Sequence, residues 1–406
     1  MARLVRTLGP TGAIGIGAAS MVGAGVFYVW APAAALAGSW LLVSLMIAGS
    51  VALVNAVTMA QLALHNPVSG GAYQFGRKYV SPRAGFLAGW MFLTGKTASA
   101  AAIAVIAARY LAPDYATILA VGLLAVFALA NLSGLRTTAG MSIAIVTLVV
   151  AMLVAIIFHS GFAGGNAETS HFGGVYGVAQ AAGLMFFAFA GYARMATLGE
   201  EVRNPTVVLP RVIVGTLVGV LVLYAVLGAA LIGNLGVGAL ATSVAPIADL
   251  APDSWRVVVI AFASLASLGS LAAILAGLSR TSMAMARQGD LPIFLARVWP
   301  RTSSPAVAEV TMAIIAIVLV VLVDPVWLVG ASSSAVLSYY AIAHLSAIGQ
   351  PERERLIPPV VPWVGLVACV ALVATLPWQS IAVGGVSAAL GLTIWGRVER
   401  RRRNHS

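Results

Sequence analysis

Apolar residues fill whole stretches of this chain, each about 20 residues long, and short polar segments that carry most of the charge divide them. At 1.5 Å of rise per residue, a helix of that length crosses about 30 Å of hydrocarbon. Twelve runs qualify, over residues 11–36, 38–64, 85–111, 115–132, 138–158, 175–198, 212–235, 257–278, 306–323, 326–347, 359–376 and 380–395. Helix is the only reading, since open strands in lipid leave backbone groups unpaired and the alternating pattern of a barrel strand is missing. The pattern predicts an all-α integral membrane protein of about twelve transmembrane helices. The last two runs are the least sharply divided, by Leu376, Pro377, Trp378 and Gln379 alone.

Composition agrees. Of 406 residues, 61% are hydrophobic and 9% charged, against about a quarter charged in a soluble domain, and the mean hydropathy is +0.99. The first run is longer than the apolar core of a signal peptide and a second follows at once, so it reads as the first span. The single cysteine, Cys369, lies in an apolar run and reads as a small packing residue, with no intrachain disulfide or thiolate metal site open to it. The net charge of +11 does not point to nucleic acid, because the basic residues sit in short loops and form no basic domain. They report topology instead. With both ends placed inside, all but three of the 23 Lys and Arg fall on inner segments. Arg109 and Arg256 lie near the outer face, together with Asp114, Glu168, Asp249, Asp253 and Asp324, and Lys96 lies inside a span. The positive-inside rule therefore places both termini in the cytoplasm of a cell-membrane protein.

Two spans contain stretches unsuited to continuous winding. The first reads GAASMVGAGVF over Gly17 to Phe27, with Gly17, Gly23 and Gly25 near its middle. Small residues also let helices pack closely, and an isolated pair of glycines means no more than that. The sixth span, however, has Gly191 at mid-span between aromatic residues. If residues 11–158 and 175–347 form two repeats of five spans, the interruptions occupy corresponding positions. Paired breaks point to a midplane binding site, because half-helix ends offer free N–H groups to an anion and free carbonyls to a cation. An amino acid zwitterion needs both. Residues 359–395 would add two helices outside the repeats and 396–406 a basic tail, the whole chain being one transporter domain.

Four passages, in order, carry a more specific likeness: GAGVF from Gly23, PVSGGAYQFGRKYV from Pro67, FFAFAGYARMATLGEEVRNPTVVLPR from Phe186 and SRTSMAMARQGDLPIF from Ser279. On these the chain resembles the amino acid-polyamine-organocation transporters, whose leucine-transporter-type fold has a five-plus-five inverted-repeat core with discontinuous helices 1 and 6. The resemblance implies secondary transport of an amino acid by alternating access, with no cofactor and no metal. It implies that the substrate carboxylate meets the amides of Gly23, Ala24 and Gly25, with Met21 and Val22 on the carbonyl side of that break. In the sixth helix Ala190, with Gly191 and Tyr192 beside it, would offer a carbonyl to the substrate ammonium and Phe187 would cap the site.

Relatives that handle cations often place an acid two positions after the glycine of the sixth helix, where this chain has Ala193 followed by Arg194. The missing carboxylate predicts a neutral amino acid over arginine, lysine or a polyamine, which remain the alternative. Lys96 lies too deep in the third span to reach an interface easily, and a buried ammonium usually marks function. It reads as a substrate-site residue, either a fixed cation in place of an ion or a proton carrier. Protons, on the second role, join the amino acid and the lipid bilayer as partners, and nothing in the sequence indicates an oligomer. Ser264, Ser267 and Ser270 share one face of the eighth span, where sodium-coupled relatives use hydroxyls, Ser267 being the coupling candidate. Serines in helices also bond back to their own backbone. His344, alone in the tenth span, could titrate but reads as a packed or hydrogen-bonded histidine. Arg194, Glu200, Glu201 and Arg203 at the inner end of the sixth helix form an inner gate or a solvated helix end, and the glycines of the PVSGGAYQF segment suit a tightly folded inner loop. An enzyme is disfavoured, as HExxH, GxSxG and P-loop motifs are absent. A channel or a transporter-like sensor would differ from a carrier in failing to exchange labelled for unlabelled solute.

Overall fold

A computed structural model describes residues 9–66, 70–133, 139–161, 173–192, 202, 205–299 and 304–403. Its described elements are helices, with no strand beyond an isolated bridge between Trp299 and Ser304. In chain order the α-helices are α1 (Pro10–Met21), α2 (Ala24–Tyr28), α3 (Trp30–Ala37), α4 (Leu41–His65), α5 (Ala72–Tyr79), α6 (Pro82–Leu111), α7 (Ala116–Leu132), α8 (Ala139–Ser160), α9 (Gly174–Phe189), α10 (Pro205–Leu235), α11 (Val237–Thr242), α12 (Pro246–Leu250), α13 (Arg256–Arg287), α14 (Ala306–Leu322), α15 (Pro325–Ile348), α16 (Val360–Thr375) and α17 (Trp378–Arg403).

Among the described residues each predicted run contains helix, but not all are full spans. Among the described residues ten helical segments are long and apolar enough to cross a membrane, whereas Ala306–Leu322 and Val360–Thr375 are shorter. Prolines account for the shortening. Pro325 opens α15, with Asp324 capping it by accepting from the Val326 N–H at 2.8 Å, so α14 ends before that turn. Pro358, Pro359 and Pro377 likewise bracket α16. Elsewhere helices outrun the predicted spans. α13 continues through SRTSMAMAR to Arg287, and α17 carries the basic end of the chain to Arg403. Arginine is a good helix former, and positive charge suits a helix C-terminus.

The packing is inverted relative to a soluble protein. Large apolar side chains point outward from the peripheral helices, among them Ile118, Phe158, Val222, Val321, Val367 and Val386. Polar side chains such as Asn55, Gln61, Ser99, Ser332 and His344 are buried between helices. Only lipid can solvate such an exterior. At the centre, α6 is buried along most of its length and packs against α13 and α15.

At the face where most of the described arginines gather, the short helix α5 ties the bundle together. It follows Gly70 and Gly71, whose φ of +127° and +55° favour residues without a Cβ. A side chain on Gly71 would also strike the Tyr339 hydroxyl, which accepts from the Ala72 N–H. The folded-loop expectation thus holds for these two glycines, while Pro67 to Ser69 lie outside the described residues. One turn apart on α5, Tyr73 and Arg77 both reach Asp290, at 2.6 and 2.8 Å, just after α13. Lys78 donates to Asn66, and the Tyr79 hydroxyl donates to Glu354, holding that exposed carboxyl below its usual range. Asp290 is fully buried, so removing it takes away the carboxylate that pairs with Arg77, while Tyr73 keeps Gln288 Oε1 at 2.6 Å as an acceptor. Asp290→Ala is expected to cost about 2–3 kcal/mol, less than a wholly buried pair because Arg77 is a quarter exposed. Thermal unfolding in detergent reads this as a clearly lowered midpoint, with Asp290→Asn in between.

Candidate substrate site at the paired helix breaks

The first span loses its winding over two residues. Val22 has φ −79° and ψ 67°, and the Gly23 N–H donates to the Met21 carbonyl at 2.8 Å, which together make an inverse γ-turn. Winding resumes at Ala24 and runs through Val29, which keeps helical angles, into α3. A helix start leaves its first N–H groups without intrahelical acceptors, here those of Ala24, Gly25 and Val26. All three residues are buried, so these donors face protein and not lipid.

The sixth span loses its α-winding at the matching place. α9 ends at Phe189 and a 3₁₀ turn follows over Ala190–Tyr192. The two segments run antiparallel in close backbone contact. A Cβ on Gly177 would lie 2.3 Å from the Leu36 carbonyl oxygen, one on Gly25 2.6 Å from the Ala188 Cα, and one on Gly191 1.7 Å from the Ser20 carbonyl oxygen. The mid-span glycines therefore do more than permit packing: they let the interruptions abut, main chain against main chain.

Around the breaks the predicted residues fall as follows. Lys96 reaches from α6 to the second break, where its Nζ donates to the Ala190 carbonyl at 3.2 Å. The Met21 carbonyl is already occupied, accepting from the Tyr224 hydroxyl at 3.0 Å as well as from Gly23. With two lone pairs it is saturated. Phe187 and Tyr192 are buried, while Gly191 keeps partial exposure. Ser264 and Ser267 donate back to Ile260 and Ala263 in their own helix. It is Ser270 that faces the first break: its Oγ would lie 2.2 Å from a Cβ on Gly23 and is buried without a protein partner. Ala193, Arg194, Glu200, Glu201 and Arg203 lie outside the described residues. Groups of His, Cys, Asp and Glu able to hold a metal are absent among the described residues.

Three participants escaped sequence reading. Tyr224, a lone phenol in an apolar span, braces the first break, and Tyr110 does the same further along by donating to the Phe27 carbonyl at 2.9 Å. Asn55 in the second span bonds His344 at 2.7 Å. A polar tip deep in an apolar run was the available signal in each case, but its partner is set by tertiary packing.

An all-α membrane bundle with two opposed, interrupted helices at its centre has the architecture of a transporter. Comparison with known proteins makes this specific. A family model described as amino acid permease matches residues 8–395, and the chain belongs to that family. It is 41% identical over 408 residues to an uncharacterized transporter of Mycobacterium tuberculosis, covering 97% of this chain and 91% of that one. It is 25% identical to the branched-chain amino acid permease BcaP of Bacillus subtilis, covering 98% and 94% of the two chains. It is 26% identical to the vacuolar cationic amino acid transporter 4 of Arabidopsis thaliana, covering 79% and 59%.

The abutting glycines give a direct check. Gly191→Ala and Gly25→Ala should each depress folded yield and transport severely, since the added methyl meets backbone that cannot step aside. Gly219→Ala, with nothing within 4 Å, should leave the melting midpoint unchanged or slightly raised. A Gly191→Ala protein that folds and transports like the parent contradicts the contact.

Proposed function

We propose that this permease is a secondary carrier that moves a neutral amino acid across the cell membrane by alternating access, with its arginine-rich face in the cytoplasm. The two breaks divide the labour. The free amides of Ala24, Gly25 and Val26 take the carboxylate, Val26 in place of the expected Gly23, whose N–H is spent on the Met21 carbonyl, and the carbonyls released where α9 ends take the ammonium. Buried peptide dipoles act more strongly than the same groups in water. The observation that carries this reading is the bond from Lys96 Nζ to the Ala190 carbonyl, an ammonium on the group assigned to the substrate ammonium. Lys96 and the substrate then compete for one acceptor, so binding displaces the side chain and release returns it.

The same lysine supports a neutral substrate over a cationic one. Its charge repels a second cation, and among the described residues no carboxylate hydrogen-bonds or pairs with Lys96. Position 193, where an acid would compensate, is Ala. The core bundle rocks against the remaining helices around the fixed site, in proton-linked transport or in exchange. The name of the Arabidopsis relative favours the other reading, a cationic substrate, and one assay separates the two.

That assay is counterflow in proteoliposomes with labelled solute. Saturable exchange of a neutral amino acid is expected, and exchange of arginine with no response to neutral amino acids overturns the assignment. Lys96→Ala should reduce counterflow roughly ten- to a hundredfold, the range for losing a charge-assisted hydrogen bond. Undiminished transport by this variant at every pH removes Lys96 from the mechanism.

A further inference from the structure

Beside the second break lies a cluster of polar side chains to which the proposed substrate contacts assign no role. Asn55 enters it from α4, Tyr192 from the 3₁₀ turn after α9, Tyr340 and His344 from successive turns of α15, and Cys369 from α16. All five are at most 1% exposed. His344 Nε2 donates to Asn55 Oδ1 at 2.7 Å, and the Cys369 thiol donates to the same oxygen at 3.3 Å. Tyr192 and Tyr340 stack with ring centroids 5.1 Å apart. The Tyr192 hydroxyl faces both the Tyr340 hydroxyl and Asn55 without reaching bonding geometry to either. Four buried polar atoms here have no protein partner: Asn55 Nδ2, Tyr192 Oη, Tyr340 Oη and His344 Nδ1. Room for the imidazole comes from Gly365, where a Cβ would sit 2.0 Å from His344 Cε1.

Stranding buried polar atoms is costly, so four in one place call for something to bind them. Water with two to four polar partners is the usual answer. The chemistry is more pointed than that, because the Nε2–H bond to Asn55 fixes the tautomer and leaves Nδ1 as a bare lone pair, the one basic atom of the four. We propose that Asn55, Tyr192, Tyr340, His344 and Cys369 form a hydrated proton-binding site in which His344 Nδ1 takes the proton. A proton carried by water leaves its oxygen and bonds to Nδ1. The imidazole becomes imidazolium while its Nε2–H stays on Asn55, and release reverses the step. The new Nδ1–H needs an acceptor, which the phenol oxygens and bridging water supply. Tyr192 follows Gly191 directly, so proton binding biases the turn that holds the ammonium site.

The other titratable groups of the cluster are Tyr192 from the sixth span, Cys369 from α16 and Tyr340 from the same helix as His344. Asn55 from α4 is neutral. Of the charged groups on neighbouring α6 and α5, Lys96 bonds Ala190, Arg77 bonds Asp290 and Lys78 bonds Asn66, while Arg83 and Arg109 sit at the two ends of α6. His344 is thus the one basic group of the cluster.

The inference rests on the carrier reading, and two measurements keep the two apart. His344→Gln retains an amide donor for Asn55 and loses the basic nitrogen. Counterflow of the parent protein should change several-fold between about pH 4 and 8, and counterflow of the variant should vary less than twofold. A transporting variant with the parent's pH profile, or a parent that is flat with pH, overturns the site but leaves the carrier standing. The second measurement is X-ray hydroxyl-radical footprinting of the parent, since bound water generates radicals in place. Tyr192, Tyr340 and Cys369 should be oxidised despite their burial, at doses that label exposed Tyr115. Unmodified side chains overturn the proposal, and where the Gln variant fails to fold or transport this footprint decides alone. Absence of counterflow by the parent with any amino acid would instead defeat the carrier reading.

Discussion

In hydrocarbon a peptide group has no water to fall back on, so a membrane helix can stop winding only where protein takes over its hydrogen bonds. Everything central to this molecule follows from two such stops. At Val22 and Gly23 the chain replaces helical bonds with a γ-turn and Tyr224 caps the carbonyl left behind. At Ala190 the winding tightens and Lys96 supplies the missing donor from another helix. Each break is stabilised by a polar side chain from outside its own span.

The surrounding architecture serves to keep those stops dry and opposed. Gly25 against Ala188 and Gly191 against Ser20 bring main chain to main chain, a separation no larger residue allows. Long helix α6 then delivers Lys96 into the gap between them, while α10 delivers Tyr224. Dipoles fixed this way need little reorganisation to meet a zwitterion. A carrier differs from a receptor in that the same contacts must be surrendered on the other side, and a tethered ammonium that can reclaim the Ala190 carbonyl suits that requirement.

The sequence made the membrane class, the places of the helices and the positions of both interruptions legible, because lipid enforces length and apolarity and because glycine in mid-span is visible as a letter. Lys96 stood out for the same reason, as a charge where charge is costly. What stayed hidden depends on contacts between distant segments. The serines on α13 all look alike in one dimension, yet Ser264 and Ser267 bond their own helix and Ser270 faces Gly23. His344 is a hydrogen-bonded histidine as expected, but its partner, Asn55, comes from a distant span and could not be read from the chain. The predicted bounds of α14 and α16 hold to within a residue at each end, whereas basic sequence prolongs α13 and α17 beyond the apolar window.

The claim on which the rest turns is that both ends of one solute are held by main-chain groups of two broken helices. Calorimetric titration of the purified permease with its amino acid, with the corresponding amine and with the corresponding carboxylic acid tests it directly. Binding of the amino acid, with both truncated analogues weaker by at least about tenfold, is the predicted result. An analogue lacking the carboxylate or the ammonium that binds as tightly as the parent amino acid would contradict the account.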